Sequence, residues 1–318
     1  MWISPYKYVL SLGHLCSDIN QSILSAVLPF LIATYHYDYT TAAMLVTVSN
    51  VFGAFVQPFI GMLSDKKNKL LYMTLGVLLA SGGMAVTGFI SNFFGLWIVV
   101  IMSGIGVAMF HPQAAKLFNS VSSKNAKGKG MSIFSFGGKV GFTLGPVYTA
   151  FLMNLFGMKG TILFLIPGIV FGIVCSFFNK DFENLDVLEV EKKEKVKCEQ
   201  KDDWSGFIKL CCVVFSRSIL SNGISTFLAF YFIQQFSKSN SFASMLLSVF
   251  YGIGSITLLG GGIADCFGHR KMVRLSFCIF LPAIFIFTNT SHFVIALIML
   301  IFMTCGESLS YSPMVVLG

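Results

Sequence analysis

Ser11, His14, Asp18, Ser22 and Ser25 recur at steps of three and four, which puts two ionisable groups and three hydroxyls on one helical face. A histidine one turn before an aspartate can hold a proton, contact a polar solute, or form a buried structural pair. The spacing also fits two ligands of a metal ion, but the sequence shows no further ligand cluster, so no metal is expected. The surrounding residues are apolar, and a carboxylate at the centre of a lipid-facing helix costs about 2.5–3.5 kcal/mol on insertion scales. Asp18 is therefore expected to line a watery pathway or to pair with a cation.

Other polar groups interrupt apolar runs in the same way. Glu307 sits between Gly306 and a serine-rich segment that reaches Pro313; it is a second candidate to carry a proton or to balance a buried cation. Arg217 is the one arginine inside an apolar run, and His111 precedes Pro112, where a helix can bend. Gly137, Gly141 and Gly145 are spaced by four and followed by Pro146. Small residues on one face let a second helix approach closely, and the proline loosens the backbone. Lys139 lies within that stretch, where it can meet an anionic group, counter an acid, or snorkel to the interface.

The elements that position these groups follow from composition. Of 318 residues, 55% are hydrophobic and 11% charged, and 34 are phenylalanine; soluble domains carry about 25% charge. With a mean hydropathy of +0.78, much of the surface must face lipid. About 20 apolar residues cross a bilayer core of about 30 Å. That ruler gives ten spans, at roughly 8–33, 41–63, 70–90, 94–117, 130–155, 160–178, 206–235, 241–263, 271–288 and 292–316. The eight cysteines contain no CxxC pair and imply neither disulfide nor metal.

A charged segment rich in both signs interrupts the spans, dividing the chain into residues 1–179, a linker over 180–204, and residues 205–318. Of the 22 lysines and arginines, 18 fall on one side of the predicted spans and only Lys159 and Lys238 on the other. Positive loops stay in the cytoplasm, so the N-terminus, the linker and the basic loops are expected there, in a plasma (inner) membrane. The net charge of +8 is then a topology signal, and no nucleic-acid partner is expected. Nothing combines a nucleophile, a base and an orienting group, so the chain is not expected to be an enzyme.

Two of those loops repeat each other. Gly61–Lys69 carries Gly61 and Asp65 ahead of lysines; Gly261–Lys271 carries Gly261, Asp265, Gly268 and Arg270, 200 positions on. Pro112 and Pro313 repeat at an offset of 201. Each loop reads as a gate, its carboxylate beside basic groups and a helix start. Carried to its end, the offset matches Gly318 with Phe118, so two further spans, roughly 60 residues, are expected to complete a second half of equal length.

Six spans, a charged linker and Gly-x-x-x-Asp loops after spans two and eight resemble the major facilitator superfamily, whose loop motif is approximately G-x-L-a-D-r-x-G-r-[RK]. The strings SLGHLCSDINQSILSAVLPFL, FHPQAAK and MSIFSFGGKVGFTLGPVY look like its fosmidomycin-resistance branch of drug exporters. The chain departs from that branch at Gln113, where an acid often stands, and at Lys139, where asparagine is usual. Val100 replaces the arginine that many proton-coupled exporters carry four residues before a glycine, here Gly104.

The resemblance implies an all-α fold of two pseudo-symmetric six-helix halves, acting as a monomer in the bilayer. It implies proton-coupled efflux of small drugs by alternating access, with the proton gradient as energy source and no cofactor. It also places Asp18 and Arg217, 199 positions apart, in equivalent helices flanking a cavity, where each is expected to sense the other. Uptake or exchange of a small anionic metabolite, with Lys139 and Arg217 as anion contacts, and an inactive remnant both stay open.

Overall fold

Hydrocarbon offers a peptide group no hydrogen-bond partner, so apolar runs of this length must satisfy their backbone internally. The computed structural model describes residues 5–64, 69–120, 127–178, 204–257 and 268–309, which are almost entirely helical. Among the described residues, ten α-helices stand at the ten expected positions. In order they are α1 (Pro5–Tyr35), α2 (Tyr39–Ser64), α3 (Lys69–Ala85), α4 (Phe93–Ser120) and α5 (Lys127–Phe156), then α6 (166–178). After the linker come α7 (Trp204–Phe236), α8 (Asn240–Thr257), α9 (His269–Asn289) and α10 (Phe293–Leu309). Short 3₁₀ segments, Thr87–Phe89 and Gly157–Leu165, end α3 and join α5 to α6.

Among the described residues, seven helical runs are long and apolar enough to cross a membrane, with Phe134–Phe178 counted as one; Phe293–Leu309 is apolar but shorter. Phe94 and Phe177 are more than three-quarters exposed, as side chains facing lipid should be.

The helices form two compact units, Met1–Lys197 and Cys198–Gly318. In the first, Leu10, Met73, Val77, Phe110, Phe118 and Phe171 pack into a continuous core. In the second, Phe232, Leu247, Leu300 and Met303 are fully buried.

The internal repeat extends to single hydrogen bonds. His36 (φ +57°) ends α1 and Ser237 (φ +49°) ends α7 in the left-handed region, each allowing an abrupt stop. Two residues on, the Asp38 carboxylate accepts the Thr41 N–H at 2.8 Å and the Ser239 hydroxyl accepts that of Phe242 at 3.3 Å. These are side-chain caps that satisfy otherwise orphaned amides at the starts of α2 and α8. A hairpin contact repeats as well. A Cβ on Gly106 of α4 would lie 2.5 Å from the Gly76 carbonyl oxygen of α3; one on Gly306 of α10 would lie 3.0 Å from that of Ser276 on α9. The offset of 200 thus repeats as a close backbone approach that only glycine permits.

Candidate functional site

Two polar clusters lie inside these bundles, one in each unit. The first depends on how α5 packs on α1. A Cβ on Gly137, Gly141 or Gly145 would run into the Ser11 carbonyl, the Leu15 carbonyl or the Ser22 hydroxyl of α1, so the predicted glycine stripe is the contact face itself. Pro146, one residue on, is buried within α5. Two serines of the same α1 face bond to backbone: Ser11 Oγ donates to the Lys7 carbonyl at 2.8 Å, and Ser22 Oγ to that of Ile19 at 3.0 Å and to that of Gly141 on α5 at 3.5 Å.

This close packing brings α5 against His14. The imidazole stacks on Phe134, centroids 4.1 Å apart, and its Nδ1 lies 2.8 Å from the Phe134 carbonyl oxygen. A carbonyl only accepts, so Nδ1 must carry the hydrogen. Nε2 then faces Asp18 Oδ2 at 3.3 Å. From α4, His111 brings its own Nε2 within 3.4 Å of Asp18 Oδ1. Asp18 is 4% exposed, and its Oδ1 makes no hydrogen bond. Lys139, half-buried on α5, acts electrostatically on both His14 and Asp18.

The structure therefore joins His14, Asp18, His111 and Lys139, which the sequence offered separately. Sequence reasoning missed Asn20. Its Nδ2 donates to Ser81 Oγ on α3 at 2.9 Å and to the Cys16 carbonyl at 2.8 Å; an asparagine within an apolar run was the available signal.

In the second unit Arg217 of α7 forms an ion pair with Glu307 of α10. The side chains are 14% and 10% exposed, so the pair is largely withdrawn from solvent. Ser221, one turn beyond Arg217, donates to Glu307 Oε1 at 3.2 Å, and Ser308 donates to Oε2 at 3.3 Å. Both carboxylate oxygens are thereby engaged. Arg217 and Glu307 also line a small cleft with Leu220, Phe277, Phe280 and Gly306. Glu307, expected to carry a proton or balance a buried cation, is the carboxylate that meets Arg217. Ser221 was not singled out, although its i+4 spacing from Arg217 was visible.

Of the loop residues, Gly61 lies in the last turn of α2, where its carbonyl accepts from Lys116 Nζ of α4 at 3.3 Å. Gly268 (φ +89°) is exposed at the start of α9, and Arg270 is exposed in its first turn. Asp65, Gly261, Asp265, Pro313 and linker residues 180–203 lie outside the described residues.

A multi-helix membrane protein with ionisable groups buried in both bundles has the form of a secondary transporter, not of an enzyme. The sequence profile of the Major Facilitator Superfamily matches residues 10–318. The chain belongs to that superfamily. It is 23% identical over 276 residues to the fosmidomycin resistance protein of Escherichia coli K12, covering 83% of this chain and 66% of that protein, just under two thirds of its length. Its fold is similar to that of a bacterial homologue of the human lysosomal transporter Spinster in an inward-facing, occupied conformation (TM-score 0.78, 16% identity, 98% of this chain and 73% of that one). It is also similar to the inward-open xylose transporter XylE of E. coli (TM-score 0.76, 14% identity, 98% and 81%).

Proposed function

We propose that this transporter exports small drugs of the fosmidomycin type in exchange for protons. The observation that carries the reading is the Arg217–Glu307 pair, a carboxylate held by an arginine and two serines within membrane helices. Protonating Glu307 removes the charge–charge attraction and leaves Arg217 uncompensated, so proton binding has a direct path to rearranging α7 against α10. The relative's name supports fosmidomycin as the first compound to test.

In this reading His14, Asp18, His111 and Lys139 line the polar pathway of the first unit. The Asp65 and Asp265 loops act as cytoplasmic gates. The protein works as a monomer in the plasma membrane by alternating access, with its N-terminus and linker inside.

Cells expressing the protein and preloaded with radiolabelled fosmidomycin test the proposal. Loss of label should exceed that of empty-vector cells, and a protonophore should abolish the difference. Equal loss from both strains overturns the proposed substrate; faster loss that ignores the protonophore overturns proton coupling.

A further inference from the structure

We infer that His14, Asp18 and His111 form a binding site for a divalent transition-metal cation of the zinc and cobalt class, with Gly138 leaving two of the donor atoms uncrowded. This goes beyond the transport reading and does not depend on it. Three observations lead to it.

The first is the donor set. Two imidazole nitrogens and one carboxylate, from α1 and α4, lie within 4.8 Å of one another. That combination suits borderline divalent ions such as Zn²⁺ and Co²⁺ and is poor for Mg²⁺ or Ca²⁺. Ligands about 2.0–2.1 Å from a tetrahedral zinc stand about 3.4 Å apart. The His14–Asp18 and His111–Asp18 contacts, at 3.3 and 3.4 Å, already have that spacing.

The second is orientation. Because His14 Nδ1–H donates to the Phe134 carbonyl, a neutral His14 turns the bare lone pair of Nε2 toward the bare lone pairs of Asp18 Oδ2. Two acceptors at 3.3 Å repel unless a cation, a proton on Nε2 or a metal ion, lies between or beside them. The backbone bond also fixes the ring and its tautomer, as the outer-shell partner of a metal-bound histidine does. Asp18 Oδ1, buried and without a hydrogen bond, is the second acceptor and faces His111 Nε2 at 3.4 Å.

The third is close packing around the donors. A Cβ at Gly138 would lie 2.5 Å from Asp18 Oδ2 and 2.6 Å from His14 Nε2. Any side chain there would crowd both donor atoms, and the glycine leaves them uncovered on the α5 side. Gly138 stands apart from the packing stripe, since the Cβ atoms of Gly137, Gly141 and Gly145 would meet the backbone or a hydroxyl of α1 instead. The site also contains its own opponent. Lys139 acts on both His14 and Asp18, and its charge weakens attraction for a divalent ion.

Zinc and cobalt titrations of the purified full chain in detergent test the inference, with calorimetry for Zn²⁺ and visible absorption for Co²⁺. One saturable ion per chain is expected. Affinity should fall at least tenfold in Asp18→Asn, His111→Ala and Gly138→Ala, and rise several-fold in Lys139→Met. His111 is the most exposed of the three, at 28%, so His111→Ala keeps the test decisive if Gly138→Ala fails to fold. The inference is overturned by the absence of saturable binding, by wild-type affinity in both His111→Ala and Asp18→Asn, or by weaker binding in Lys139→Met. Because no transport is measured, a failed efflux experiment leaves this result standing, and the reverse holds too.

Discussion

Arg217 and Glu307, 90 residues apart, close an ion pair between α7 and α10 inside the second unit. Two serines complete the carboxylate's hydrogen bonding. Removing one partner of a buried pair strands the other charge, whereas replacing both with apolar side chains does not. Glu307→Ala should therefore destabilise the protein by about 3–5 kcal/mol. The double variant Arg217→Met/Glu307→Leu should recover most of that loss and still fail to transport. Unfolding midpoints in mixed micelles, measured beside efflux, check both halves of the expectation. A double variant that transports normally would reduce the pair to a structural role.

The α1–α5 contact makes a sharper demand on side-chain size. A methyl on Gly141 meets the Leu15 carbonyl and lies 3.1 Å from Asp18 Cβ, and backbone does not yield as a flexible side chain would. Gly141→Ala should cost about 1–3 kcal/mol by forcing the helices apart. Gly172→Ala on α6 is the control: its methyl would make ordinary contact at 3.8 Å with Thr74 and should be neutral or stabilising, by up to about 1 kcal/mol. Thermal midpoints of the two variants should move in opposite directions or differ clearly in size.

His36 holds φ at +57° without being glycine. A left-handed conformation costs an L-residue roughly 1–2 kcal/mol, which glycine avoids. His36→Gly should raise the thermal midpoint, and Ser237→Gly at the repeated position should do the same. A fall in both would mean that these side chains make compensating contacts.

Asp38, between α1 and α2, caps the second helix. The hydrogen bond from Thr41 to its carboxylate holds the carboxyl below its ordinary range. Its contribution is fully present above the ordinary carboxylate value and is lost as pH falls through the lowered one. Asp38→Asn, which can still accept through its amide oxygen, should show a shallower decline in thermal midpoint below about pH 4 than wild type. Parallel declines would remove the cap from the acid response.

Much of this was legible in the sequence because lipid leaves the chain few choices. Apolar length located ten helices, glycine spacing marked the α1–α5 face, and the offset of 200–201 located a repeat that recurs at His36 and Ser237, and at Gly106 and Gly306. Partnerships were less legible. His111 and Glu307 were visible as polar interruptions, but meeting Asp18 and Arg217 depends on which faces of α4 and α10 turn inward, and a single helix does not encode that. Glu307 meets Arg217 because α7 and α10 place both side chains on facing surfaces of one bundle. Likewise, two ligands on α1 argued against a metal until α4 supplied a third.

Gradient-driven uptake into proteoliposomes tests the coupling role of Glu307 most directly. Vesicles holding wild type or Glu307→Gln receive an imposed pH gradient with the membrane potential clamped at zero, and radiolabelled fosmidomycin is followed. Wild type should accumulate label against its concentration gradient, while Glu307→Gln should retain exchange of label across the membrane and lose the accumulation. Accumulation by Glu307→Gln at the wild-type rate would contradict the account.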